Sequence, residues 1–239
     1  MKIKIIFFSF FLCFFSCQNN GEKICIGYDP SWYPKDFKEL QSNVNGYIKE
    51  ILLEISGKKD VRFTLVKENF DSLFKVLEDE KVEAVLSFKN PYQFLKDKYS
   101  FSLPILNIGH VLVVRKESSY TSLDDMKKKL VGIIRGESSI LFLEKYEDIF
   151  IKIYDSIPEL LNDVSNGFLD GAMVYGLEAG NFVRNLYDDL KITGYLTDEA
   201  IRLVSLKKNE AIINKFNKIV EELEKEEIIL QIKKKWSLF

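Results

Sequence analysis

The sequence predicts an α/β protein of two lobes, each an open sheet flanked by helices. Short apolar runs with strand character alternate with segments whose apolar residues recur at three and four, the pattern restarts after Pro104, and no Pro-, Gly- or Ser-rich tether separates the halves. The 239 residues accommodate two lobes of roughly 100 residues each. A hydrophobic content of 46% and a charged content of 29% are ordinary for a folded chain and exclude global disorder.

The N-terminal segment is unlike the rest. Met1-Lys2-Ile3-Lys4 is a short basic stretch, and Ile5 to Phe15 is an almost unbroken apolar run. About 11 residues fall short of the ~20 a membrane-spanning helix needs and suit the apolar core of a signal peptide. The run ends at Phe14-Phe15-Ser16-Cys17, after which the chain turns polar. A small residue directly before a cysteine resembles the lipobox of bacterial lipoproteins, although Phe14 and Phe15 depart from its usual Leu and small residue. That resemblance implies residues 1–16 as a signal peptide and 17–22 as a tether, with Cys17 diacylated by palmitate-type chains after cleavage. An ordinary signal peptide or a weak N-terminal anchor is the alternative. Each of these readings puts the folded part outside the cytoplasm.

In the first half, Lys23 to Gly27 reads as a strand entering the loop Tyr28 to Pro34. Gly46 to Ser56 reads as a helix, Val61 to Val66 as a strand, Phe70 to Asp79 as a helix and Val82 to Leu86 as a buried strand. In the second half, Val111 to Arg115 is a strand, and Ser122 to Lys129 a helix opened by Ser122 with Asp124 and Asp125 in its first turn. Leu130 to Ile134 is a strand, followed by a helix from about Ile140 and a strand from Ile151 to Tyr154. Ser156 to Asn166 is a helix with Ser156 and Glu159 placed as a capping box and Gly167 as its stop. Asp170 to Val174 and Ile201 to Leu206 are strands, and helices Glu210 to Lys225 and Ile228 to Trp236 end the chain.

Composition excludes several function classes. The formal net charge is −2, and loss of Lys2 and Lys4 leaves 32 basic against 36 acidic residues, or −4. A mildly acidic chain without a basic stripe does not suit nucleic acid. With Cys13 removed and Cys17 acylated, Cys25 is left alone and no internal disulfide can form. Cys25 reads as a small buried strand residue. His110 is the sole histidine, so Cys–His catalysis and His-based metal sites have almost no material. No metal, no cofactor and no catalytic residue is expected.

In open α/β sheets, ligands gather at the C-terminal ends of strands and between lobes. That rule selects the loops Tyr28 to Pro34, Ser87 to Pro91, Arg135 to Ser139 and Tyr175 to Glu178. In that order they resemble family 3 of the bacterial extracellular solute-binding proteins. Ile26-Gly27-Tyr28-Asp29-Pro30-Ser31-Trp32-Tyr33-Pro34 is similar to the family's IGTDxxYPP, and Glu83-Ala84-Val85-Leu86-Ser87 to its DAxxS. Tyr99 to Pro104, Ser122 to Lys127, Val131 to Gly136 and Ile232 to Trp236 are similar to YAFSDP, SLxDLK, VGVxxG and the family's ending. The resemblance runs from about Lys23 to Phe239. It implies the type II periplasmic-binding-protein fold, two lobes joined by two hinge strands, with residues 23–107 and 200–239 in one lobe and 108–199 in the other.

The resemblance also implies ligand positions. Trp32 and Phe70 take the places of stacking aromatics, with Asp29 before the first, and Ser87, Phe88 and Asn90 occupy a run that offers hydroxyl and backbone groups. Glu137, Ser138 and Ser139 stand at a strand-to-helix turn suited to an acceptor. There Glu137 replaces a hydroxyl residue, either opposing an anionic ligand or capping the helix. The arginine that clamps an α-carboxylate is replaced by Leu95, counting back from Tyr99, and the acidic residue for the α-amine by Tyr175. Arg135, Arg202 and Lys89 are the candidate substitute cations, each otherwise a surface charge. His110, at the first crossover, reads as a buried structural histidine.

The implied function is an extracytoplasmic solute-binding lipoprotein of an ABC importer, held to the cell membrane in the periplasm by Cys17. It is expected to be a monomer that delivers a small amino acid, amino-acid derivative or short peptide to an inner-membrane permease. Its specificity is expected to be non-standard, because a buried free α-carboxylate lacks its cationic partner. Two alternatives from other classes stand beside it. One is a periplasmic enzyme of the cyclohexadienyl dehydratase type, with Asp29 or Glu137 as acid. The other is an interaction or sensor lipoprotein that has lost ligand binding, with no further domain expected after Phe239.

Overall fold

The computed structural model describes residues 22–31, 40–58 and 61–238. The signal segment, Cys17 and Trp32 therefore lie outside the described residues.

The chain opens with β1 (Glu22–Tyr28), α1 (Gln41–Lys58) and β2 (Val61–Lys67). Helix α1 is longer than the apolar repeat predicts, and it buries the face formed by Val44, Tyr47, Ile48, Ile51, Leu52 and Ile55. The predicted helix at Phe70 begins as a 3-10 turn, Phe70–Ser72, and becomes α2 only over Leu73–Glu78. Then come β3 (Ala84–Ser87), wholly buried, the single turn α3 (Gln93–Lys96), β4 (Tyr99–Phe101) and β5 (Leu106–Asn107). These last three elements are too short to leave a periodic signal in sequence.

The second half holds β6 (His110–Arg115), β7 (Leu130–Ile134), α4 (Ser139–Leu143), β8 (Phe150–Tyr154), α5 (Ile157–Ser165), β9 (Gly171–Tyr175), α6 (Gly176–Leu186) and β10 (Leu190–Tyr195). The helix predicted over Ser122–Lys129 is only a 3-10 turn, Leu123–Met126. Asp125 turns back to accept the N–H groups of Thr121 (2.8 Å) and Ser122 (3.0 Å), while Lys127 is extended and Lys128 adopts φ 59°. The capping box therefore forms but opens a single turn. Helix α5 follows its sequence signals: Ser156 accepts the Glu159 N–H, Pro158 sits in the first turn, and Gly167 takes φ 78° just past the end. The chain closes with β11 (Ala200–Leu206), α7 (Glu210–Lys225) and α8 (Ile228–Lys235).

Two sheets result. The first has strand order β2-β1-β3-β11-β4, with β5 also paired to β11, and the second has order β10-β6-β9-β7-β8. In the first, β1 is parallel to β2 and β3, while β11 is antiparallel to β3, β4 and β5. In the second, β7 is parallel to β8 and β9, and β6 is antiparallel to β9 and β10. Helices cover both faces of each sheet, which gives every strand of the central positions a two-sided core. One face of the first sheet packs on α1, α7 and α8 around Ile51, Phe216 and Leu223, the other on α2 around Leu73 and Leu77. The second sheet packs α5 and α6 on one face and α4 on the other.

The chain passes from the first sheet to the second through Ile108-Gly109 and returns through residues 196–199. The crossings run side by side: Ile108 N–H donates to the Glu199 carbonyl (2.9 Å), and Leu196 N–H to the His110 carbonyl (2.7 Å). His110 N–H donates to Thr197 Oγ1 (2.8 Å). Two strands joined by so few bonds allow rotation of one lobe against the other.

Candidate functional site between the two sheets

A cavity of about 550 Å³ opens beside the crossings. Asn90 and Tyr92, from the loop after β3, line one wall. Ser138, Leu141, Phe142 and Lys145 from the second lobe line the opposite wall, and His110 with Thr197, Asp198 and Glu199 from the crossings line its inner end. The volume is within the range of small-molecule sites. Its polar groups differ in chemistry: Asp198 and Glu199 are carboxylates, and Lys145 is the one ammonium among the described lining residues. None of those residues is an arginine.

His110 is 1% exposed, and neither ring nitrogen makes a hydrogen bond. Its ring lies 4.0 Å from that of Tyr175, centroid to centroid, because the two residues are paired across β6 and β9. The Glu137 carboxylate, also buried, stands 3.6 Å from His110 Nε2. Glu137 thus neither caps the helix nor faces the cavity directly. The N-cap of α4 is Ser138, without a side-chain capping bond, and a helix of five residues has little dipole to offer an anion. Ser138 lines the cavity, whereas Ser139 is fully buried with its hydroxyl unpaired.

The other sequence-selected positions separate. Asp29 organises its own loop, accepting the Ser31 N–H (2.8 Å) and the Phe70 N–H (2.8 Å). Asp29, Phe70 and Phe88 border a void of about 20 Å³, less than the ~30 Å³ a water occupies in the liquid. Asp29 and Phe70 also line an open cleft on the first lobe with Asp71 and Lys75. Ser87 is buried and accepts the Lys89 N–H (3.1 Å), a turn-forming role. Leu95 is half-buried against the Leu73–Leu77 cluster and does not line the interlobe cavity. Tyr175 packs between His110 and the core of the first lobe.

The three candidate cations are engaged elsewhere. Arg135 pairs with Asp155 on the surface (2.7 Å), Lys89 lies 4.0 Å over the Phe74 ring, and Arg202 donates to the Ser102 carbonyl (3.2 Å). Burial lowers the pKa of Arg202, partly offset by Asp198. Lys145, Asp198 and Glu199 were not singled out by the sequence, since they follow a short helix and a crossing rather than the C-terminal end of a strand.

No group of three or more His, Cys, Asp or Glu residues that could hold a metal occurs among the described residues. No described helix is long and apolar enough to cross a membrane.

Comparison with known proteins agrees with this architecture. The arginine-binding extracellular protein ArtP of Bacillus subtilis is 26% identical over 230 residues, covering 92% of this chain and 88% of that protein. The L-cystine-binding protein TcyJ of Escherichia coli is 24% identical over 217 residues, covering 89% and 82%. Among solved structures, the unliganded open L-cystine solute receptor of Neisseria gonorrhoeae superposes with a TM-score of 0.67 at 17% identity, covering 91% of this chain and 93% of that one. A polar amino acid ABC uptake transporter substrate-binding protein from Streptococcus thermophilus superposes with a TM-score of 0.63 at 19% identity, covering 92% and 90%. The fold is that of the type II periplasmic binding proteins. The family profile matches residues 24–239, almost everything beyond the N-terminal segment, and the chain belongs to the bacterial extracellular solute-binding proteins, family 3.

Proposed function

We propose that the chain is the solute-capturing component of an amino-acid ABC importer, an extracytoplasmic lipoprotein held to the membrane through Cys17. The observation that carries this reading is a cavity of about 550 Å³ walled by both lobes and closed at its inner end by the two crossings, in a chain of the solute-binding family. Closure of the lobes around a solute would bury it and present a changed surface to the permease. The solute is amino-acid-like but not a standard amino acid held in the usual way, because no arginine lines the described cavity. A modified or blocked amino acid or a short peptide fits such a site.

An enzymatic reading has less support. Asp29 is committed to loop hydrogen bonds and Glu137 is set against His110, so neither is placed beside a leaving group in the cavity.

The test is a thermal-shift screen of the full-length protein in detergent against amino acids, their amides and esters, and short peptides. A bound solute at about 100 times its Kd raises the melting midpoint by several degrees. A shift confined to derivatives supports the reading, and a shift with unmodified amino acids alone overturns the altered specificity. The absence of any shift favours the interaction lipoprotein. The anchor is tested separately: Cys17→Ser should abolish incorporation of labelled palmitate and release the protein from membranes.

A further inference from the structure

The unpaired polar atoms of the molecule are not scattered. Three of the residues that carry them, Asn90, His110 and Glu199, line the same interlobe cavity. Asn90 Oδ1 is shielded from solvent and accepts no hydrogen bond, and so is Glu199 Oε2. Both atoms of the His110 ring that could bond are in the same condition, with the ring 1% exposed. A carboxylate oxygen only accepts, and shielding it without a donor is costly unless a ligand supplies one. The chain itself provides no compensation at Glu199: its Oε2 lies 2.9 Å from where a Cβ on Gly109 would stand, against backbone rather than a basic side chain.

We propose that the inner end of the interlobe cavity is a cation-receiving subsite, in which Glu199, Asn90 and the His110–Glu137 pair accept N–H donors from an ammonium or guanidinium group of the solute. The proposal rests on the solute-binding reading above and names the class of solute. A guanidinium presents several N–H donors in a plane and stays charged, which matches acceptors spread over three side chains. Asp198 adds a second carboxylate on the same side. Lys145, exposed over the Phe142 ring, is placed to meet an acidic end of the same solute. Tyr175, stacked on His110, holds the imidazole in position.

Calorimetric titration of the full-length protein with arginine, agmatine and citrulline tests this. Arginine and agmatine share the guanidinium and differ in the carboxylate. Citrulline keeps the length of arginine but carries a neutral ureido group. Either guanidinium ligand should bind at least tenfold tighter than citrulline, and Glu199→Gln should reduce that ratio to near one. Asn90→Asp adds a negative charge at the other acceptor and should raise the ratio, so the outcome does not depend on one variant folding. Citrulline binding as tightly as arginine and agmatine, or a ratio unchanged in both variants, overturns the cation subsite while leaving solute capture intact. Binding only of acidic or neutral solutes does the same. If no amino acid, amide, ester or peptide of the screen binds, the solute-binding reading itself falls, and the subsite with it.

Discussion

Gly109 and Thr197 touch where the two crossings run side by side: the Thr197 carbonyl oxygen is 2.3 Å from the position a Cβ on residue 109 would take. Glycine is required there by closeness of backbones rather than by a left-handed dihedral. Gly109→Ala must spread the crossings and disturb the bonds from Ile108 to Glu199 and from His110 to Thr197. Overpacking of this kind costs about 1–3 kcal/mol. The melting midpoint should drop by several degrees, and solute affinity should fall as well, because Glu199 is displaced. A variant as stable as the parent, with unchanged affinity, would show that the crossings have slack.

A second consequence concerns Tyr47. Its hydroxyl donates to the Ile105 carbonyl (2.8 Å) from within the core of the first lobe, just before the first crossing. Burial, reinforced by Glu224, pushes the Tyr47 phenol far above its ordinary range, so it remains a donor at any physiological pH. Tyr47→Phe removes the donor and leaves a carbonyl without a partner, at a cost of about 1–3 kcal/mol. Chemical denaturation should show this as a lower midpoint with an unchanged slope.

Much of the fold was legible because its periodic segments are long enough to declare themselves. The apolar spacing of α1, the cap and stop of α5, and the alternating run of β2 each predict the element found, within a few residues. Helix α6 was not legible: its sequence Gly-Leu-Glu-Ala-Gly carries two glycines that weaken a helical reading. Gly176 is nevertheless needed, since a Cβ there would lie 2.6 Å from the Tyr195 ring. The site was less legible than the fold. Rules about strand ends find Asn90 and Ser138, but Lys145, Asp198 and Glu199 meet only when the second crossing returns beside the first. Counting residues back from Tyr99 reached Leu95, whereas the short turn of α3 leaves Tyr92 at the cavity instead.

Acid should destabilise the protein. Glu50 has its pKa lowered by the Lys235 and Trp236 side chains, and Glu78 by Lys98 and Tyr99. The backbone N–H groups of Thr121 and Ser122 lower Asp125, and Tyr154 and Lys152 lower Asp163. In each case the folded state binds its proton less readily than the unfolded chain, whose ordinary values are 4.5 for Glu and 3.8 for Asp. Their contribution is therefore complete at neutral pH and is lost as pH falls through and below that range. These groups are largely solvated, so the total effect is modest and screened by salt. The melting midpoint should hold between about pH 6 and 7 and decline below about pH 5. A midpoint that rises on acidification would contradict the assignment.

Leu95 and Tyr92 make opposite predictions when each is replaced by arginine. Leu95 is half-buried against Leu73, Val76 and Leu77, so Leu95→Arg thrusts a guanidinium into an apolar cluster with no acceptor prepared for it. It should cost about 1–3 kcal/mol and confer no affinity for free amino acids. Tyr92 is exposed and lines the interlobe cavity facing the second lobe. Tyr92→Arg should change stability by only about 0.5 kcal/mol, apart from the loss of its stacking on Phe94, while supplying the bidentate cation the described cavity lacks. Titration of both variants with glutamine decides between the two positions. Tighter binding in Tyr92→Arg alone places the carboxylate-binding position in the loop after β3, and tighter binding in Leu95→Arg would require that α3 rotate into the cavity.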